Sequence, residues 1–196
     1  IIAIYPLMAT IAFEIVKMLG IFRRYGALVG AVCVGFVHHA FYEIFDHLGP
    51  QLRWWAWSTD NPLNQPMFDS VPLGSVVVFA ALWPMSLAFC VQWFVGRHVD
   101  EGKRFDGLQL VWLTLVIGVL ASLGTFILPL PATVLGVGSD TVRGFLYAAE
   151  LLILTIVAII VLTRQWTRLR KGVADAPVYR NRFVQGYAVV YLCIMA

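Results

Sequence analysis

The sequence predicts an all-α fold, a polytopic transmembrane bundle of about six helices with the first and last truncated. Three observations carry that expectation. Sixty per cent of the residues are hydrophobic and only 13% are charged, and the mean hydropathy is +0.81, a composition typical of membrane proteins rather than soluble domains. Apolar runs long enough to cross a hydrocarbon core, about 20 residues each, recur along the whole chain. Between them the basic residues fall in short connections, mostly on one side.

Six segments meet or approach the spanning length: 1–20, 26–48, 71–96, 107–129, 141–163 and one from 183 onward. They form a single membrane domain over residues 1–196. The chain starts in an apolar run, Ile1-Ile2-Ala3-Ile4, and stops in another at Met195-Ala196, so it reads as a piece of a longer protein. Arg23 and Arg24 follow the first segment, Arg97, Lys103 and Arg104 the third, and Arg164, Arg168, Arg170, Lys171, Arg180 and Arg182 the fifth. The other side carries only Arg53 and Arg143. The positive-inside rule places the loops 21–25, 97–106 and 164–182 in the cytoplasm of a cell-membrane protein, and the loops 49–70 and 130–140 outside.

The first segment holds Glu14 and Lys17, spaced for an i,i+3 pair near its cytoplasmic end. The second holds the densest chemistry, Phe36-Val37-His38-His39-Ala40-Phe41-Tyr42-Glu43-Ile44-Phe45-Asp46-His47, with three of the four histidines. On a helix His39, Glu43 and Asp46 form one stripe with His47 at its edge, while His38 turns about 100° away. The loop from Gly49 to Ser70 carries Trp54, Trp55 and Trp57, suited to an interfacial aromatic belt or to a lid over an outer cavity. Pro72 fits a first helical turn. Pro84, after Trp83, removes a main-chain hydrogen bond and kinks the third helix. Gly118 to Gly124 offers small residues for close helix contact. Glu150 stands alone in the fifth segment, roughly 15 Å in from Asp140. A carboxylate exposed to lipid at that depth is unfavourable, so Glu150 is expected inside the bundle near His39 and Glu43.

Several function classes are excluded or open. The net charge of +3 sits in short loops without an aromatic-interleaved basic patch, so no nucleic-acid partner is indicated. Cys33, Cys90 and Cys193 lie far apart in apolar runs and form no CxxC motif. His39 and His47 are two turns apart, about 12 Å, too far to share one metal ion on an unbroken helix. A two-residue fragment, His39 and Glu43, completed by Glu150 stays open as an ion site, while the expectation is no metal and no cofactor. A carboxyl group held in hydrocarbon favours its neutral form and can act as a proton donor, which points to acid–base chemistry on an apolar substrate with Glu43, His39 and Glu150 as catalytic candidates. Asp46, His47, Trp54, Trp55, Trp57 and Trp83 are the substrate-binding candidates. The same polar stripe also suits a purely cohesive network between helices two and five. Membrane lipids are the expected partners, and the alternative class is a non-catalytic accessory subunit among other integral membrane subunits, such as those of a lipid transporter.

The succession Tyr42-Glu43, Leu48-Gly49, Trp54 to Trp57, Pro66, Val71-Pro72 and Trp83, within residues 40–85, resembles the carotenoid-biosynthesis family of integral membrane proteins, which includes hydratases of long polyenes. The resemblance implies a multi-helix membrane fold, an isoprenoid substrate, no redox cofactor and Glu43 as the acid. The chain departs from that pattern by placing His38-His39 before the acid and Asp46-His47 after it.

Overall fold

The computed structural model describes residues 4–173 and 180–195. Positions 1–3 and 196, at the ends of the first and last expected segments, and 174–179, within the expected cytoplasmic loop 164–182, lie outside the described residues. The fold is all-α apart from one two-residue hairpin. Its helices are α1 (Ile4–Met18), α2 (Ile21–Gln51), α3 (Ser75–Asp100), α4 (Gly107–Ile127), α5 (Leu130–Leu135), α6 (Asp140–Arg170) and α7 (Arg182–Met195). Strands β1 (Met67–Phe68) and β2 (Val71–Pro72) pair antiparallel between α2 and α3, with Phe68 opposite Val71.

Four helices, α2, α3, α4 and α6, are long and apolar enough to cross a membrane. The terminal helices are shorter, 15 residues in α1 and 14 in α7. Helix α2 is the hub and packs on α1, α3 and α6. Its axis breaks at Gly26, where φ is +83°, a left-handed value that glycine adopts without a Cβ clash. Gly20, at φ +73°, makes the reversal between α1 and α2 in the same way. The main cluster around this crossing joins Val16, Ile21, Cys33 and Val34 with Ala88 and Ala158, so α1, α2, α3 and α6 share one core.

Helix α3 is not uniformly α-helical. Residues Ser75–Leu82 wind as a π-helix, and the Trp83 N–H reaches back five residues to the Val78 carbonyl. Pro84 follows in the first turn of the α-helical section Trp83–Val91. It has no N–H to return to a carbonyl earlier in the helix. Close by, the Ala80 carbonyl accepts a 2.7 Å hydrogen bond from His38 Nδ1 on α2. The proline thus lies where the winding changes from π to α, beside a hydrogen bond that ties α3 to α2.

Helix α4 begins with a capping box. Asp106 accepts from the Gln109 N–H at 2.8 Å, and the Gln109 side chain accepts from the Asp106 N–H at 3.1 Å. It leans on α3 through Gly124, whose missing side chain admits Ser86. The Ser86 hydroxyl donates to the Ala121 carbonyl at 3.2 Å. Gly118 faces open space instead, so only the Ala121–Gly124 end of the small-residue stretch makes close contact. The opposite side of α4, including Leu108, Trp112, Val119 and Phe126, is an exposed apolar face. Helix α6 starts on a Ser139 cap and carries Asp140 in its first turn and Arg168 and Arg170 in its last, both favourable to the helix dipole.

Candidate functional site

A groove of about 520 Å³ runs between α2 and α6. Its α2 wall is His39, Glu43 and His47; its α6 wall is Ala148, Leu151, Leu152 and Thr155. Phe68 of β1, with Leu73 and Val76 beyond the hairpin, completes the lining. Leu152 and Phe68, both 58% exposed, mark its mouth. Among the described residues lining the groove, His39, Glu43 and His47 are the only titratable side chains, and none is a lysine or arginine.

These three side chains stand one helical turn apart and make a continuous polar line. Glu43 Oε1 lies 3.3 Å from His39 Nδ1, and Glu43 Oε2 lies 3.2 Å from His47 Nδ1. His47 Nδ1 also faces the Glu43 backbone carbonyl at 3.1 Å, so with acceptors on two sides it carries the hydrogen. The His47 ring meets Phe68 edge to face at 6.0 Å. The contact between His39 and Glu43 is of a different kind. His39 Nδ1 and Glu43 Oε1 are enclosed and close enough for an ion pair, yet not aligned for a hydrogen bond. The two atoms are enclosed against each other and pair through charge rather than through an aligned hydrogen bond.

The remaining sequence candidates fall elsewhere. Asp46 does not join the stripe. It is 1% exposed and accepts a 2.9 Å hydrogen bond from Ser75 Oγ. The buried side of α2 is set by His38, Tyr42, Phe45 and Gly49, and Asp46 sits at its edge, so it turns into the core while His47 takes the place on the groove. Glu150 is likewise absent from the groove lining. It lies roughly 200° round α6 from Ala148. Both its carboxyl oxygens are enclosed without a hydrogen-bond partner, beside the backbone of Ala132 in α5. The expected meeting of Glu150 with His39 and Glu43 therefore does not occur.

The tryptophans line other surfaces. Trp55 packs on Phe45 at 4.9 Å between ring centres and fills the space left by Gly49, while Trp54 is exposed beside it. Trp57 is half-buried, with its indole N–H enclosed and unpartnered. Trp83 stands in a buried aromatic group with His38, Tyr42 and Tyr5. The His38 ring stacks on Tyr42 at 5.4 Å, the Trp83 ring meets His38 and Tyr5 edge-on, and the Tyr42 hydroxyl donates to Tyr5 at 2.7 Å. The connection between α2 and α3 thus reaches the groove through Phe68 rather than through its tryptophans.

Two structural residues escaped sequence reasoning. His38, completely buried, ties α2 to α3; the missing N–H of Pro84 was the one signal available. Arg143 fastens the connection between α2 and α3, donating from Nη1 to the carbonyls of Pro62 and Gln65 at 3.1 Å each and pairing with Asp140 at 3.4 Å. Among the described residues, no three His, Cys, Asp or Glu side chains converge as a metal site.

Fold and groove together define a helical protein with four membrane-length apolar helices and a mostly apolar cleft marked by one carboxylate and two imidazoles. Comparison with known proteins finds no matching family model, no matching curated protein and no matching solved structure.

Proposed function

We propose that this is a multi-pass protein of the cell membrane that holds the chain of an isoprenoid or similar lipid in the α2–α6 groove and acts on it through Glu43 and His39. The observation that carries this reading is a single polar line, His39–Glu43–His47, on the wall of an otherwise apolar groove. Ionisable groups at such positions mark function more often than cohesion, and here the polar contacts shown for them stay within α2. The likeness of residues 40–85 to carotenoid-biosynthesis proteins favours an isoprenoid over other lipids.

In this reading α1 and α7 are the first and last of six spans. The loops 21–25, 97–106 and 164–182 face the cytoplasm, and the groove opens toward the outer leaflet. The arginines and lysines of those loops support the orientation. The chemistry is addition of water to an alkene. The Glu43 carboxyl proton forms a C–H bond at one alkene carbon, and the oxygen of water bonds the other. The proton released by that water returns through His39 to Glu43, so no oxidant or reductant is needed.

Native mass spectrometry of protein extracted from its own membrane tests the proposal, comparing wild type with Glu43→Gln. Wild type should carry a lipid that the variant holds at least about tenfold less well, the worth of one good hydrogen bond, and only wild type should turn that lipid over. Equal retention and equal turnover in the variant would overturn it.

A second reading, a non-catalytic subunit of a larger membrane assembly, draws on the uncovered apolar faces of α4 and α6. The same spectra address it, because a subunit travels with other chains in a fixed ratio.

A further inference from the structure

The turn from α3 to α4 is fixed at both ends by hydrogen bonds. Gly102, at φ +85°, closes the end of α3: its N–H returns to the Val99 carbonyl at 2.9 Å, and the Lys103 N–H reaches the His98 carbonyl at 2.9 Å. That pair of bonds around a left-handed glycine is a common helix stop. The capping box of Asp106 and Gln109 then starts α4. Lys103, Arg104 and Phe105 stand between the two devices, so two cations are presented from a defined backbone.

Beside them is an open cleft of about 800 Å³, which Leu108 and Trp112 of α4 also line. Among the described residues lining it only Asp106 is acidic, and its carboxylate is engaged with the Gln109 N–H. Lys103 Nζ lies 3.7 Å from the Glu101 carboxylate. The Arg104 side chain is exposed and makes no ion pair or hydrogen bond among the described residues. From the cleft Leu108, Trp112, Leu115, Val119 and Phe126 run down α4, each between 57% and 72% exposed. Steps of three, four and seven residues keep them on one stripe. It is about 27 Å long at 1.5 Å per residue, close to the thickness of a hydrocarbon core.

Cations at one end and a long apolar stripe below them match a ligand with an anionic head and apolar tails. Phe105 and Trp112 lie at the border, where aromatic rings favour the headgroup layer. In the orientation proposed above, this end of α4 meets the cytoplasmic leaflet, whose anionic lipids attract nearby lysine and arginine. We infer that the α3–α4 turn and the exposed face of α4 bind an anionic phospholipid, its head against Arg104 and Lys103 and its chains along Leu108, Trp112 and Leu115. This rests on the reading of the chain as a membrane protein and is independent of the α2–α6 groove.

The test places the full chain in nanodiscs of phosphatidylcholine and adds phosphatidylglycerol or phosphatidylcholine with brominated acyl chains. Bromine quenches nearby tryptophan, and the share due to Trp112 is the difference between wild type and Trp112→Phe. Brominated phosphatidylglycerol should quench Trp112 at about tenfold lower mole fraction than brominated phosphatidylcholine, since each cation contributes about fivefold and Asp106 offsets part of the sum. Lys103→Gln with Arg104→Gln should bring the two lipids within about twofold of each other. Arg170→Gln with Lys171→Gln, at the end of α6, should leave the preference intact. Equal quenching by both lipids in wild type, or a preference that survives the loss of Lys103 and Arg104, overturns the inference while α4 still faces lipid. If neither lipid quenches Trp112, another protein chain or water covers that face, and the membrane placement of α4 fails with the inference.

Discussion

The hydrogen bond between His38 and the Ala80 carbonyl offers the sharpest test of how α2 and α3 are held. His38→Phe keeps a flat ring against Tyr42, where the present rings are 5.4 Å apart and only 15° from parallel. It removes the Nδ1–H that reaches Ala80 at 2.7 Å. The carbonyl then loses its donor from α2. An orphaned buried acceptor costs about 1–3 kcal/mol, and hydrogen bonds between membrane helices measure about 0.6–1.7 kcal/mol, so a loss of roughly 1–2 kcal/mol is expected. For a chain of this size that is a fall of about 2–8 °C in the thermal midpoint, measurable in detergent by light scattering or intrinsic fluorescence. The decisive step is the double mutant. Pro84→Ala supplies an N–H one turn from Ala80, so in that background His38→Phe should lose clearly less stability. An equal loss in both backgrounds, or none in either, would show that the His38 bond to Ala80 and the missing N–H of Pro84 are not coupled.

Three further outcomes follow from the packing. Glu150→Gln should be neutral or raise the thermal midpoint, since it removes an enclosed acid without a hydrogen-bond partner, and it should leave lipid retention unchanged because Glu150 lies off the groove; loss of retention would put it back in the site. Gly124→Ala should cost about 1–3 kcal/mol by forcing Ser86 and α4 apart, whereas Gly118→Ala, facing open space, should be neutral or stabilising by up to about 1 kcal/mol; thermal midpoints separate the two. Arg143→Ala frees the Pro62 and Gln65 carbonyls, so limited proteolysis should cut the 58–66 region faster than in wild type while the helices remain intact; unchanged cutting would mean that the arginine does not pin the loop.

The reasons some features could be read from the sequence and others could not are physical. Length and hydrophobicity mark α2, α3, α4 and α6 directly, because crossing hydrocarbon demands about 20 apolar residues whatever surrounds them. Rotation about a helix axis is a different matter. A helix apolar on every side gives little periodic signal to distinguish core from lipid, so nothing in the pattern around His38-His39 says which imidazole is buried and which faces the groove. The same ambiguity sent Asp46 to Ser75 rather than to Glu43. It also turned Glu150 toward Ala132 instead of across to α2. His39 and Glu43 were legible as neighbours, because i,i+4 spacing fixes their proximity on any helix. Their partner across the groove was not, since α6 contributes only apolar side chains and Thr155 there. The winding change at Pro84 was half legible: the proline announces a missing N–H, but the His38 bond to the nearby Ala80 carbonyl comes from 42 residues earlier in the chain.

The central claim is that the α2–α6 groove holds a lipid chain against Glu43. A cryo-EM reconstruction of the protein in nanodiscs of its native lipids, enlarged with a rigid binder outside the groove, tests it most directly. The account predicts elongated density along Leu151 and Leu152 that ends against the His39 and Glu43 side chains. A groove closed by its own side chains, or lipid density only on the outer face of α4, would contradict it.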